Sequence, residues 1–295
     1  MRGTEHSAAV LASVLVFAVA GIVGGAACGS FTADTSGEDG GGRGDDGSAS
    51  GSDAAGAGDA GGDPAATDGG KTRNGYRATV IADGPLGYWR LGEPAGTMKA
   101  HDETGQFDGI YVGNCMLGVT GIVANETAVH FNGTDCTVDL GDHFEFTGKE
   151  AFSIEAWAKP DSPQGDFAHV FTRETRTPAM APDTGYAFLF DDPTTVAFER
   201  SVNAINRKSG GTTTPTGGFV HVVATYDGGT VRVYVNGTPG AVEADGNAMT
   251  AVSVHAFIGS AGDGMNAFKG DIDEVAIYGK ELSAAQVAAH YAAGR

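Results

Sequence analysis

The sequence predicts an all-β domain over residues 73–295, built as a two-sheet antiparallel sandwich or jelly roll. Three observations carry the prediction. Period-2 alternation of apolar and polar residues recurs in about a dozen short segments. Glycine-rich turn signals separate those segments. The region holds about 220 residues, enough to bury one substantial all-β core.

Composition narrows the partners. The chain of 295 residues carries 48 Gly and 37 acidic against 18 basic residues, a net charge of -19. That balance excludes non-specific nucleic-acid binding, which needs a basic footprint to release counterions. It equally excludes electrostatic docking on anionic lipid. The glycines lack the three-residue period of collagen.

Residues 1–28 open with Arg2 and an uncharged apolar run from Ala8 to Ala27. The run decays into small residues before Cys28, as a processing site does. Gly25-Ala26-Ala27-Cys28 resembles the bacterial lipobox, with Gly25 in the usual aliphatic position. That resemblance implies acylation of the Cys28 thiol and cleavage before it. Ordinary secretion and an uncleaved anchor are the alternatives. Residues 29–72 hold 14 Gly, nine acidic residues and one aromatic, Phe31. Such a segment buries too little apolar surface to offset chain entropy and is expected to be a disordered linker.

The strand candidates follow in order: Tyr88–Leu91, Ile110–Val112, Ala128–Phe131, Thr137–Leu140, Phe152–Ala158, His169–Thr172, Tyr186–Phe190, Val196–Arg200, Val220–Tyr226, Val231–Val235, His255–Ile258 and Asp271–Tyr278. In the fifth, Phe152, Ile154, Ala156 and Ala158 share one face, while Ser153, Glu155 and Trp157 share the other. Asp227-Gly228-Gly229 and Asn236-Gly237 are turn signals. Two helices are expected. One is short, at Tyr76–Ala82. The other starts at Ser283, where Ser283 and Gln286 have the spacing of a capping box and Leu282, Val287 and Tyr291 supply the packed side.

An ordered set of motifs then resembles the laminin-G-like, concanavalin A-like lectin/glucanase modules of bacterial secreted proteins. They are AVHFNGT (128–134), FSIEAWAKP (152–160), FVHVVATYDG (219–228), VRVYVNG (231–237), FIGS (257–260), FKGDIDEVAIY (268–278) and the closing segment Leu282–His290. YWRLGEP (88–94) and HDETGQFDG (101–109) resemble the entry segment often attached to this fold. Phe219 stands where those modules usually have Trp. The resemblance covers about residues 75–292 and implies a concanavalin A-like jelly roll.

The same fold hosts glycoside hydrolases. The laminarinase type carries Glu-x-Asp-x-x-Glu on one strand, because retaining chemistry needs two carboxyl groups about 5–5.5 Å apart. The dense acidic strand here begins at Asp271, and five residues later stands Ala276, so the pattern lacks its last acid. Glu155 has Trp157 two residues on, where a partner acid would be needed. Asp183-Thr184-Gly185 spells the aspartic-protease tripeptide once, without the second copy a dyad requires.

The resemblance also implies a structural Ca²⁺ where the first strand meets the last. Asp273 is then the leading ligand, with Glu93 and Asp102 as helpers, since calcium takes six to eight oxygens. The competing reading makes Asp273 a carboxylate satisfied by backbone N–H groups, and Glu93 and Asp102 turn formers. Cys115 and Cys136 have no zinc-ligand spacing. In an exported chain they form either one disulfide or two buried free thiols.

Trp157, with Glu155 on its face, is the candidate ligand surface; the alternative is packing against the rest of the fold. The reading is a lipid-anchored, exported, monomeric surface module. It binds an extracellular glycan or a protein without catalysis, and touches the membrane only through its anchor. The alternatives are a diverged glycoside hydrolase or lyase, and an adhesive surface component with no small ligand.

Overall fold

The computed structural model describes residues 75–295 except 124, 163, 166, 176–183, 203–204, 209–210 and 263. The expected signal segment, the linker, Cys28 and Asp183 lie outside the described residues.

The chain begins with α1 (Gly75–Ala82), β1 (Gly87–Trp89), β2 (Lys99–Ala100), β3 (Gly109–Val112), β4 (Met116–Thr120), β5 (Thr127–Asn132) and β6 (Thr137–Asp139). It continues through β7 (Phe152–Pro160), β8 (Ala168–Thr175), β9 (Thr184–Asp192), β10 (Thr195–Val202), β11 (Ile205–Lys208) and β12 (Thr212–Thr213). It ends with β13 (Val220–Tyr226), β14 (Thr230–Val235), β15 (Thr238–Ala244), β16 (Phe257–Ile258), β17 (Lys269–Tyr278) and α2 (Ala284–Gly294).

The strands form two antiparallel sheets, the jelly-roll-like sandwich expected from the alternation. The first runs β15-β14-β13-β7-β17-β5-β4, with β1 also on β17. The second runs β11-β10-β9-β8-β16-β6-β3-β2, with β12 on β10. Their facing sides enclose the main core, including Phe131, Phe152, Ile154, Phe188, Phe198, Val222 and Ile272. Burying such side chains contributes about 1.5–3 kcal/mol each.

A second apolar cluster sits on the outer side of the first sheet. Tyr76, Val80, Trp157, Val223, Tyr234, Tyr278, Leu282 and Val287 belong to it. Helices α1 and α2 pack there, so β7 is buried on both faces. Helix α2 starts where the sequence placed it. Ser283 is its N-cap, and the capping box with Gln286 is complete.

Asn236 and Gly237, with φ of 50° and 75°, turn β14 back into β15. Both central residues of such a tight hairpin need positive φ, which Asn-Gly supplies.

Candidate functional site

The candidate site is built on the outer face of the first sheet. Glu155 and Trp157 share that face, as alternation predicts. Neither stands open to solvent: Glu155 is fully buried and Trp157 is 4% exposed. The two helices cover them as Tyr76 and Val80 of α1, Val287 of α2 and Leu282 just before α2 are buried in one apolar cluster with Trp157.

Glu155 is the hub of this layer. Its Oε1 accepts from Tyr76 Oη at 2.6 Å and from His221 Nε2 at 2.8 Å. Its Oε2 accepts from His290 Nδ1 at 2.7 Å and from Tyr278 Oη at 2.9 Å. These partners come from α1, β13, α2 and β17. Burial would raise the Glu155 carboxyl, but the His221 hydrogen bond and the charge and hydrogen bond of His290 hold it well below the usual carboxylate range. His290 also meets Asp83 Oδ2 through Nε2, at 2.9 Å. Sequence reasoning did not single out His290; the available signal was its place three positions after Val287, on the packed side of α2.

Trp157 borders a cavity of about 300 Å³ lined by Gly121, Ile122, Trp157, Phe219, Asn236, Tyr291, Gly294 and Arg295. The Tyr291 ring stacks on the indole with centroids 5.9 Å apart. His221 lies 4.9 Å from the indole, on the opposite strand position of β13. The indole N–H of Trp157 is buried without a hydrogen-bond partner. Leaving a buried donor unmet costs about 1–3 kcal/mol, so it marks a place where an acceptor is wanted. Asn236 Oδ1 accepts from the His221 backbone N–H at 3.0 Å, which leaves its Nδ2 as a donor at the cavity.

A second cavity, of about 380 Å³, is lined by Arg90, Gly92, Glu93, His101, Glu103, Asn125, Glu126 and Thr127. Sequence reasoning missed Glu274, a buried acid that meets the cavity-lining Arg90 without itself lining the cavity. A β-bulge in β17 puts Glu274 at φ 55°, so Asp273 and Glu274 both leave the core face. Two consecutive acids in an alternating strand were the available signal. Glu274 bonds Tyr88 Oη and Arg90, and Arg90 also pairs with Glu126. Burial raises the Glu274 carboxyl to about 7 against the opposing pull of Arg90. Asp273 is likewise pushed up, by burial and then by the Glu274 charge.

The Ca²⁺ set implied by the resemblance does not fit these side chains. The carboxylate of Asp102 accepts from the backbone N–H groups of Tyr88, Thr104, Gln106 and Phe107, at 2.8–3.1 Å, and from the Thr104 hydroxyl. It is a turn former, as the competing reading had it. Glu93 accepts from His101 N and from Tyr111 Oη. Asp273 Oδ2 accepts from Ile122 N at 2.8 Å. Among the described residues no three His, Cys, Asp or Glu side chains are arranged to hold a metal ion.

Cys115 and Cys136 form a disulfide, with Cα atoms 4.8 Å apart. It ties the loop before β4 to the loop before β6.

Several solved structures share this fold. Domain 4 of AbnA, a GH43 extracellular arabinanase from Geobacillus stearothermophilus in complex with arabinotriose, superposes with a TM-score of 0.52 at 22% identity, over 70% of this chain and 98% of that one. The botulinum neurotoxin serotype G binding domain gives 0.52 at 13% identity, over 70% of this chain and 50% of that one. A mutant of Trypanosoma rangeli sialidase displaying trans-sialidase activity gives 0.50 at 17%, over 72% of this chain and 33% of that one. At these identities the likeness is one of fold. No curated protein matches the sequence. Residues 132–288, more than half of the chain, match the concanavalin A-like lectin/glucanases superfamily, and to that superfamily the chain belongs.

Proposed function

We propose that this protein is a non-catalytic binding module that takes a sugar ring of an extracellular glycan in the Trp157 cavity. One observation carries the reading: Trp157, whose buried indole N–H has no partner, borders a cavity that Phe219 and Tyr291 also line. Sugars offer hydroxyl oxygens as acceptors on the ring edge and apolar C–H faces to aromatic rings, and this cavity supplies both counterparts. Arg295 and Asn236 add donors at its rim. Lipidation at Cys28, with residues 29–72 as a spacer, would hold the module away from the surface of the exporting cell. A protein partner is the other occupant such a module admits.

The test is a glycan array and a pulldown with the full chain, followed by titration of each hit. Arabinotriose is one probe, because the AbnA domain was solved with it. Saturable binding that weakens about tenfold in Trp157→Phe, which keeps a ring but removes the N–H, supports the reading; a lost charge-free hydrogen bond is worth about that much. Full affinity in Trp157→Phe moves the site elsewhere, and an array without hits overturns the glycan.

A hydrolase is the second reading. Glu126 and Glu274 share Arg90 beside an open cavity, and Glu274 is raised to about 7, where a general acid works. A reducing-sugar assay on mixed polysaccharides separates the two. Activity abolished by Glu274→Gln would establish the enzyme.

A further inference from the structure

The Trp157 cavity shares a helix with the Glu155 network. We propose that its occupancy is regulated by pH: α2, which supplies Tyr291 and Gly294 to the cavity, is docked by His290 as an imidazolium and loosens when that proton leaves. The inference rests on the Trp157 cavity being the ligand site.

His290 places Nδ1 2.7 Å from Glu155 Oε2 and Nε2 2.9 Å from Asp83 Oδ2. Both neighbours are carboxylate oxygens, which accept. A neutral imidazole has one N–H and can satisfy one of them; only the imidazolium donates to both. Loss of the proton therefore turns one ring lone pair against a carboxylate. The ring is fully buried, and so is Glu155, so no water relieves the Glu155 contact, while Asp83 is 24% exposed.

The groups around His290 fix the direction. Asp83, after α1, and Glu155, on β7, are its two anions. Tyr278, on β17, has its ring 6.2 Å away and donates to Glu155. Tyr76 on α1 and His221 on β13 meet the same carboxylate. Gln286, on α2 itself, donates to Asp83. The carboxylate on β15, Glu243, lies six residues from the Gly237 that meets Tyr291, about 20 Å along the strand. Burial disfavours the charged ring, but Glu155 and Asp83 more than offset it, so His290 keeps its proton above the ordinary 6.5.

Docking of α2 shapes the cavity directly. Tyr291 follows His290 and stacks on Trp157. Gly294 lies so close that a Cβ there would fall 2.5 Å from Trp157 Cζ2. A small displacement of α2 therefore removes two walls and uncovers the indole.

The experiment needs no ligand. Acrylamide quenching of tryptophan emission is followed from pH 5.5 to 9 in the full chain. The second tryptophan, Trp89, is fully buried with its N–H on Phe107 O, and gives a constant background. The expected result is a rise of about twofold in the quenching constant, with a midpoint above 6.5, as local opening exposes the indole. His290→Gln, which has no proton to lose, should abolish the step. Asp83→Asn, at a partly exposed side chain, should move the midpoint to lower pH and decides the matter if His290→Gln does not fold. A flat wild-type profile, an unchanged step in His290→Gln, or an unmoved midpoint in Asp83→Asn overturns the proposal. Those outcomes leave the glycan array standing, whereas an array without hits ends the ligand reading and leaves the quenching step intact.

Discussion

Glu155 and His290, 135 residues apart in the chain, meet at 2.7 Å with both side chains fully withdrawn from solvent. One strand of the sandwich and the closing helix are thus joined by a charge pair that water does not reach. The pair is safe in the fold because four donors surround the carboxylate. It is also exacting, because any one partner removed strands the others. A buried pair of this kind is weak evidence of net stabilisation, yet breaking it is costly.

Glu155→Gln tests this directly. The amide leaves the buried imidazolium without its carboxylate and turns an N–H₂ toward at least one of four donors. We expect a loss of about 3–5 kcal/mol in urea unfolding, as for other buried pairs broken on one side. A loss below about 1 kcal/mol, typical of an exposed pair, would show that the network does not hold the helices.

The pH dependence has two flanks of opposite sign. Glu155 is held below its ordinary 4.5 when folded, so its contribution is present above that value and is lost as pH falls through the lower folded value. His290 is raised above 6.5, so its contribution is complete below 6.5 and is lost as pH rises through the folded value. From these two groups, the melting temperature should be highest between about pH 4.5 and 6.5. In Glu155→Gln the part of the acid flank due to this carboxyl should vanish; an identical acid flank would place the titration elsewhere.

Reduction of the disulfide gives a third prediction. Cys115 and Cys136 are 21 residues apart, and opening a loop of that size costs about 3 kcal/mol in the chain-entropy account. The double variant Cys115→Ala with Cys136→Ala should unfold at correspondingly lower urea, and dithiothreitol should no longer affect it. Equal stability of oxidised and reduced wild type would contradict the loop argument.

Much of the fold is written in local alternation, and the places where it fails have physical causes. Each of the twelve strand candidates falls on a strand, because one face of each must meet the core. The missed strands are short or lie at edges. β15 carries Pro239 and Gly240 and is largely exposed. In β4 a register shift at Gly118, φ 86°, breaks the period. At the site, alternation put Glu155 and Trp157 on one face correctly, but a strand does not say what covers that face. The cover comes from α1 and α2, far away in sequence. The polarity of Glu155 read as solvent, whereas its donors are side chains of four other elements. The Asp273-Glu274 bulge was hidden for a related reason: alternation assumes a regular ladder, and Glu274 leaves it.

Metal dependence follows from Asp102. Its carboxylate holds the turn before Gly105 by accepting from four backbone N–H groups and a hydroxyl, so its lone pairs serve the chain itself. A calcium ion would have to displace those bonds, each worth about 1.5–3 kcal/mol to a charged acceptor. We therefore expect EDTA and millimolar calcium to leave the melting temperature of the wild type where it is. Asp102→Asn should lower stability by about 1–3 kcal/mol, the cost of leaving buried donors poorly met, and by the same amount with either addition. A calcium-dependent rise in melting temperature that disappears in Asp102→Asn would reverse this reading and restore Asp102 as a ligand.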